Sequence, residues 1–251
     1  MARRLALVTG GCRRLGAAIA AALAAAGYDL ALHGSHDADP EPELLAAMAA
    51  AGATWRGFVA DFAQPERASE LHAAVVAASG QAPDLLVNGA SVFGPDRLAD
   101  VCADDLALAH AVNCAAPVLL TQAFAAAAGP GDRSVVNILD QRIAHPHVDQ
   151  LAYTLAKLGL AGLTRIGADG IRVNGVAPGL TLPTGDYSDA QMASLAGHMP
   201  LGMLPTPAQI AAAVLFCADT PGLDRQILFV DGGAHLVRFA RDFVHLEDVP
   251  A

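Results

Sequence analysis

The stretch "LALVTGGCRRLGAAIAAALAAAGYDLALHG" (5–34) decides the fold. Residues 5–9 form an apolar run of strand length, and 28–33 form a second. Between them, 15–27 is an alanine-rich helical segment closed by Gly27, which suits the position after a helix end. Two strands joined by a helix make a parallel, buried unit. The turn between the first strand and the helix is rich in glycine. Gly10 and Gly11 permit a tight bend, and Gly16 lets the helix pack close to the strand. The free N–H groups at such a helix start suit a pyrophosphate. An ordinary strand–helix turn is the alternative reading.

The alternation continues along all 251 residues. Strands are predicted at 54–60, 84–88, 133–139, 171–177 and within 226–233. Helices are predicted at 40–51, 65–79, 104–127, 150–166 and 207–218. Seven strands separated by helices imply an α/β, Rossmann-like, doubly wound parallel sheet in one domain. The longest irregular segment, 178–206, follows a strand's carboxyl end and reads as a substrate lid.

The net charge of −10 disfavours a nucleic-acid partner and an anionic membrane surface. Cys12, Cys102, Cys114 and Cys217 show no close pairing, so neither a zinc knuckle nor a disulfide frame is expected. The apolar run after Arg3 and Arg4 is too short for an export signal. The expected location is the cytoplasm. His145 and His147 flank Pro146 without spaced acidic or cysteine partners, so no metal site is expected.

Thr9 to Gly16, "TGGCRRLG", together with "NGAS" (88–91), Tyr153, Lys157 and "RVNGVAPG" (172–179), resembles the short-chain dehydrogenase/reductase family over nearly the whole chain. The resemblance implies a cofactor half to about residue 140 and a catalytic and substrate half from about 141. The family's middle glycine is replaced by Arg14, a variant similar to the pteridine reductase branch; a solvent-facing Arg14 is the alternative. The resemblance implies cofactor contacts from Gly10, Arg13, Arg14, Leu15 and Gly16 at the phosphates. It also implies contacts from His33 and His36 beyond the second strand, and from Asp61 and Phe62 at the adenine. Asn88 and Ala90 would form a cofactor wall, with Pro178, Gly179 and Thr181 at the nicotinamide. Where NAD enzymes place a ribose-binding acid, this chain has His33 and Gly34. Arg13 can reach a 2′-phosphate, so NADPH is expected over NADH.

Lys157 is the only lysine, four residues after Tyr153 and on the same helical face. An ammonium beside a phenol favours phenolate and makes the hydroxyl a better proton donor. Asp140, thirteen residues before Tyr153, stands where most of the family has serine. A carboxylate repels a ketone oxygen but suits a pterin's N–H donors and ring nitrogens; a turn-initiating Asp is the alternative. The resemblance implies that Asn113 holds a proton-relay water, and that Phe93, beside Ser91, stacks on the pterin. Tyr153 and Lys157 would also touch the cofactor. Arg14, Ser91, Phe93, Asp140 and Tyr153 would line the substrate, with Arg238 reaching a neighbouring subunit's site. A mid-helix asparagine and a core phenylalanine are the alternatives for Asn113 and Phe93.

The expected activity is NADPH-dependent reduction of a pterin or dihydropterin C=N bond on a small-molecule substrate. Reduction of a 3-oxoacyl thioester is an alternative, and a non-catalytic NADP(H)-binding module is another. A homodimer or homotetramer is expected, although the short link between residues 165 and 170 trims the Tyr153 helix that helps build the family's dimer face.

Overall fold

Seven apolar runs too short to be helices alternate with longer helical ones, and each becomes a strand of one sheet. In the computed structural model of the protein, residues 3–127, 131–183 and 187–246 are described. The strands are β1 (Arg4–Thr9), β2 (Tyr28–Gly34), β3 (Trp55–Val59), β4 (Leu85–Asn88), β5 (Ser134–Ile138), β6 (Arg172–Pro178) and β7 (Ile227–Val230). They run parallel in the order β3-β2-β1-β4-β5-β6-β7.

Helices α1 (Arg14–Ala25), α2 (Pro42–Ala50), α3 (Arg67–Ser79), α4 (Ala103–His110), α5 (Ala116–Ala126), α6 (Leu151–Ile166), α7 (Asp189–Gly197) and α8 (Pro207–Asp219) complete the chain. The period-2 alternation of β1 feeds two cores. Ala6 and Val8 pack with Ile19 and Leu23 of α1 and Ile210 and Val214 of α8. Leu5 and Leu7 pack with Leu71 and Val75 of α3 and Leu120 and Phe124 of α5. A sheet covered on both faces is what near-continuous apolar strands require.

The strand order reverses direction between β1 and β4, which opens a crevice above their carboxyl ends. Thr9 Oγ1 pins the crevice floor by accepting from the N–H groups of Gly89 (2.9 Å) and Ala90 (3.1 Å).

Two expectations change. The helix predicted at 104–127 is interrupted by a π turn at Ala111–Ala115. Pro117 has no N–H to give the Asn113 carbonyl, so the ladder loosens there. The whole rod, Ala103–Ala126, is long and apolar enough by length and composition to cross a membrane, but Leu120 and Phe124 bury it against the sheet. The lid at 178–206 is not wholly irregular. It contains α7, started by a capping box in which Ser188 and Gln191 satisfy each other's backbone N–H groups. Residues 184–186 of that lid lie outside the described residues.

Candidate active site

The glycine turn after β1 is a cradle of backbone. A Cβ on Gly10 (φ 65°) would lie 3.1 Å from Ala90 Cα, and one on Gly16 would drive into the Gly10 carbonyl. Arg13 does not cap α1 with its side chain, and the first turn carries no acid. Beyond the Arg14 N–H, which Glu41 takes, the N–H groups of the first turn are left for an anion, so the residues present fit a dinucleotide's pyrophosphate. Arg14 holds a left-handed backbone (φ 55°), a conformation costing a side-chain-bearing residue about 1 kcal/mol. Glu41 accepts from its N–H at 3.3 Å, and Nη2 donates to the Pro183 carbonyl of the lid at 2.9 Å. Arg14 thus links turn and lid. Arg13 pairs with Asp37 at 2.6 Å, both exposed beyond β2. His36 and Asp61 are exposed at the same end, and Leu15 packs on the core.

Three expected cofactor contacts prove to be internal. His33 is 2 % exposed. Its Nδ1 accepts from Gly10 N–H (3.2 Å), so Nε2 donates to the Ala60 carbonyl (2.8 Å). Burial lowers its pKa and keeps the ring neutral. Phe62, also buried, stacks on it at 4.3 Å. The pair braces the turn from beneath because register sets His33 beside Thr9. Asn88 is buried as well, and donates to Asn137 Oδ1 at 2.8 Å on β5. Ala90, Gly179 and Thr181 remain partly accessible, whereas Pro178 is buried at the end of β6. The Thr181 hydroxyl donates to the Gly179 carbonyl at 2.8 Å.

Across the crevice, α6 presents Tyr153 and Lys157. Tyr153 donates to Asp140 Oδ2 at 3.0 Å. Lys157 donates to the Ile138 carbonyl at 2.8 Å, and its Nζ lies 5.5 Å from the Tyr153 ring centroid. Burial lowers the Lys157 pKa to about 8, opposed by Asp140. The expectation that Lys157 makes Tyr153 more acidic is not met in this arrangement. Burial and then the Asp140 carboxylate hold the Tyr153 pKa well above its ordinary value. The phenol's proton is therefore shared with a carboxylate rather than poised to leave unaided.

Phe93 is 56 % exposed and meets Tyr153 edge-on, ring centroids 6.0 Å apart. Both line a cavity of about 190 Å³ with Asp140, Arg142, Thr181 and Asp242. Ser91 donates its one hydroxyl proton to Asn113 Oδ1 at 2.7 Å. Asn113 Oδ1 also accepts from Val92 N–H (3.0 Å), and Nδ2 donates to the carbonyls of Val92 (2.8 Å) and Ala109 (3.0 Å). Its side-chain amide is fully partnered within the protein and fixes the loop that carries Ser91 and Phe93.

A family model described as enoyl-(acyl carrier protein) reductase matches residues 11–235. The protein belongs to the short-chain dehydrogenase/reductase family. Among the relatives of this short-chain oxidoreductase is an uncharacterised oxidoreductase of Mycobacterium tuberculosis, 35 % identical over 92 % of this chain and 91 % of that one. Pteridine reductase 1 of Leishmania tarentolae is 29 % identical over 93 % and 97 %. The crystal structure of FolM alternative dihydrofolate reductase 1 of Brucella canis, complexed with NADP, superposes with a TM-score of 0.85 at 30 % identity. That superposition covers 96 % of this chain and 97 % of that one.

The sequence reading of this short-chain enzyme missed Arg142. Its N–H and Nε both donate to Asp140 Oδ1, at 2.9 and 3.2 Å, and its guanidinium lies 5.1 Å from the Tyr153 ring centroid. The two-residue spacing from Asp140, an Asx-turn pattern, was the available signal. Asp242 was missed too. It accepts from Arg142 Nη2 at 2.9 Å and from the Tyr187 hydroxyl at 3.2 Å. His147 is wedged beside these acids, Nε2 3.9 Å from Asp242. Arg238 is exposed and does not line the cavity of its own chain. The residues beyond it do, through Asp242, Phe243 and Val244.

Proposed function

We propose that the protein is an NADPH-dependent reductase of a dihydropterin C=N bond, working in the cytoplasm. The observation carrying this reading is the Asp140–Tyr153 contact of 3.0 Å on a cavity that Phe93 also lines. A lone ketone oxygen gains nothing from a carboxylate at that place. A pterin's amidine-like edge donates to Asp140, while its flat face matches Phe93. The pteridine reductase and dihydrofolate reductase similarities support the same substrate class.

NADPH, when bound, supplies a hydride from the nicotinamide C4 to the C=N carbon. Gly10, Gly16 and the start of α1 would hold the diphosphate, and Arg13 would take the 2′-phosphate in place of its pairing with Asp37. Tyr153 gives its proton to the adjacent ring nitrogen. The buried ammonium of Lys157 and the guanidinium of Arg142 flank the phenol and offset the negative charge that then forms beside Asp140. The apolar faces of α4 and α6, with Leu108 and Leu155 exposed, suit assembly into a homo-oligomer.

The test follows NADPH oxidation with a dihydropterin, dihydrofolate and an acetoacetyl thioester side by side. A preference of tenfold or more for a dihydropterin is expected; a preference for the thioester overturns the reading.

A further inference from the structure

From Phe239 to Leu246 the chain folds back as a strap along the substrate cavity. Buried Asp149 anchors it. Oδ2 accepts from Asp242 N–H (2.8 Å) and Arg241 Nε (2.9 Å), and Oδ1 pairs with Arg97 at 2.6 Å. Phe239 and Phe243 meet edge to face, centroids 5.0 Å apart, and join Leu195 and Met199 from the lid region. Strap and lid therefore share one apolar cluster. On the inner side, Phe243 and Val244 line the cavity.

Arg142 connects this strap to the reacting groups. It is 7 % exposed and spans two carboxylates, with Nε on Asp140 Oδ1 (3.2 Å) and Nη2 on Asp242 Oδ2 (2.9 Å). The other Asp140 oxygen holds Tyr153. A planar fork can divide itself between two acids in this way. Burial opposes the guanidinium charge, but Asp140, Tyr153 and Asp242 outweigh it and hold the pKa above its ordinary value.

We propose that Arg142 is a positioning residue that ties seating of the C-terminal strap to alignment of Asp140 on Tyr153. This rests on the reading of Asp140 and Tyr153 as the reacting pair. With the strap seated, Asp242 occupies one arm of the fork and leaves Asp140 Oδ2 to the phenol. With the strap lifted, Arg142 loses its second acid. The freed Nη2, on the same edge of the guanidinium as Nε, then completes a bidentate pairing on Asp140 that draws Oδ2 off Tyr153. A substrate packed against Phe243 and Val244 favours the seated state and so assembles its own proton donor.

Hydrogen–deuterium exchange at 239–246, with β1 and β4 as fold references, tests the bridge in the native chain, Arg142→Met and Asp242→Asn. Both variants should exchange about tenfold faster in the strap and no faster in the references. Unchanged strap exchange in Arg142→Met overturns the bridge, whatever the substrate. Tyr187→Phe, which removes one hydrogen bond from Asp242, gives a smaller change of the same sign if Arg142→Met folds poorly. In NADPH oxidation with a dihydropterin, both bridge variants should lower kcat as well as raise KM, and the double variant should be no worse than either single one. A rise in KM alone means that the strap merely packs, and overturns the coupling. A native chain inactive on every dihydropterin contradicts the substrate reading, while the exchange result still decides the bridge.

Discussion

The ammonium of Lys157 sits fully enclosed between the Ile138 carbonyl and the Tyr153 ring, and its charge is costly there. With a pKa of about 8 in the fold against 10.5 when free, it destabilises the native state at neutral pH. Between those values the unfolded chain binds more protons, so this cost is relieved as pH rises through that window. Lys157→Met should therefore raise stability near neutrality by on the order of 2 kcal/mol, and by less at alkaline pH, read from urea midpoints. The same change should lower kcat at least about 100-fold. The alkaline limb of kcat/KM in the native enzyme should fall near pH 8. It should move down in Asp140→Asn, which removes a raising influence on Lys157, and up in Arg142→Met, which removes a lowering one. Phe93→Ala should raise KM for a dihydropterin about tenfold while changing kcat less, because an aromatic stack contributes roughly 1 kcal/mol. Tyr153 and Lys157, one helix turn apart, were legible from spacing, and Asp140 from the resemblance to the family, which has serine at that place. Arg142 was not, because its second acid lies 100 positions away. His33 misled because a strand's last residue can face ligand or core, and only the register beside Thr9 decides.

At the scale of elements, the strands announced themselves as apolar runs bounded by glycine, asparagine and aspartate. Two of the helices with capping boxes differ in legibility. Thr206 and Gln209 precede an apolar helix, and α8 was predicted. Ser188 and Gln191 offer the same signature, but α7 lies in a Pro-, Gly- and Thr-rich stretch whose lack of apolar period hid it. The π turn had no sequence signal beyond Pro117, which also suits the start of a new helix. Thr206→Ala should cost about 1 kcal/mol and lower Tm by about 2–4 °C, since the Gln209 backbone N–H loses its partner. Gly16→Ala should weaken NADPH binding about 100-fold or more in a fluorescence titration, because the added Cβ forces α1 off the Gly10 carbonyl.

The whole molecule places a sheet floor under two covers, the lid and the strap. The parallel sheet sets Tyr153, Lys157 and Asp140 by strand ends and by α6, whose Leu160 and Ala161 pack with Leu139 and Ala177. The lid, reached by Arg14, and the strap, held by Asp149 and Arg142, close the opposite side. The floor was legible because it obeys short-range periodicity. The strap was not, because its anchors are buried charges contributed from distant segments. Leu155 and Leu158, both exposed on α6, extend this account to assembly. Leu155→Glu should shift the sedimentation coefficient toward that of a single chain if this face is the interface.

The central claim is that Asp140 selects a pterin over a carbonyl. It is tested most directly by comparing native protein with Asp140→Ser for kcat/KM on a dihydropterin and on an acetoacetyl thioester, both with NADPH. The account predicts a loss of about 100-fold or more on the dihydropterin and no such loss on the thioester. Equal losses on both substrates, or a dihydropterin rate unchanged by the substitution, would contradict it.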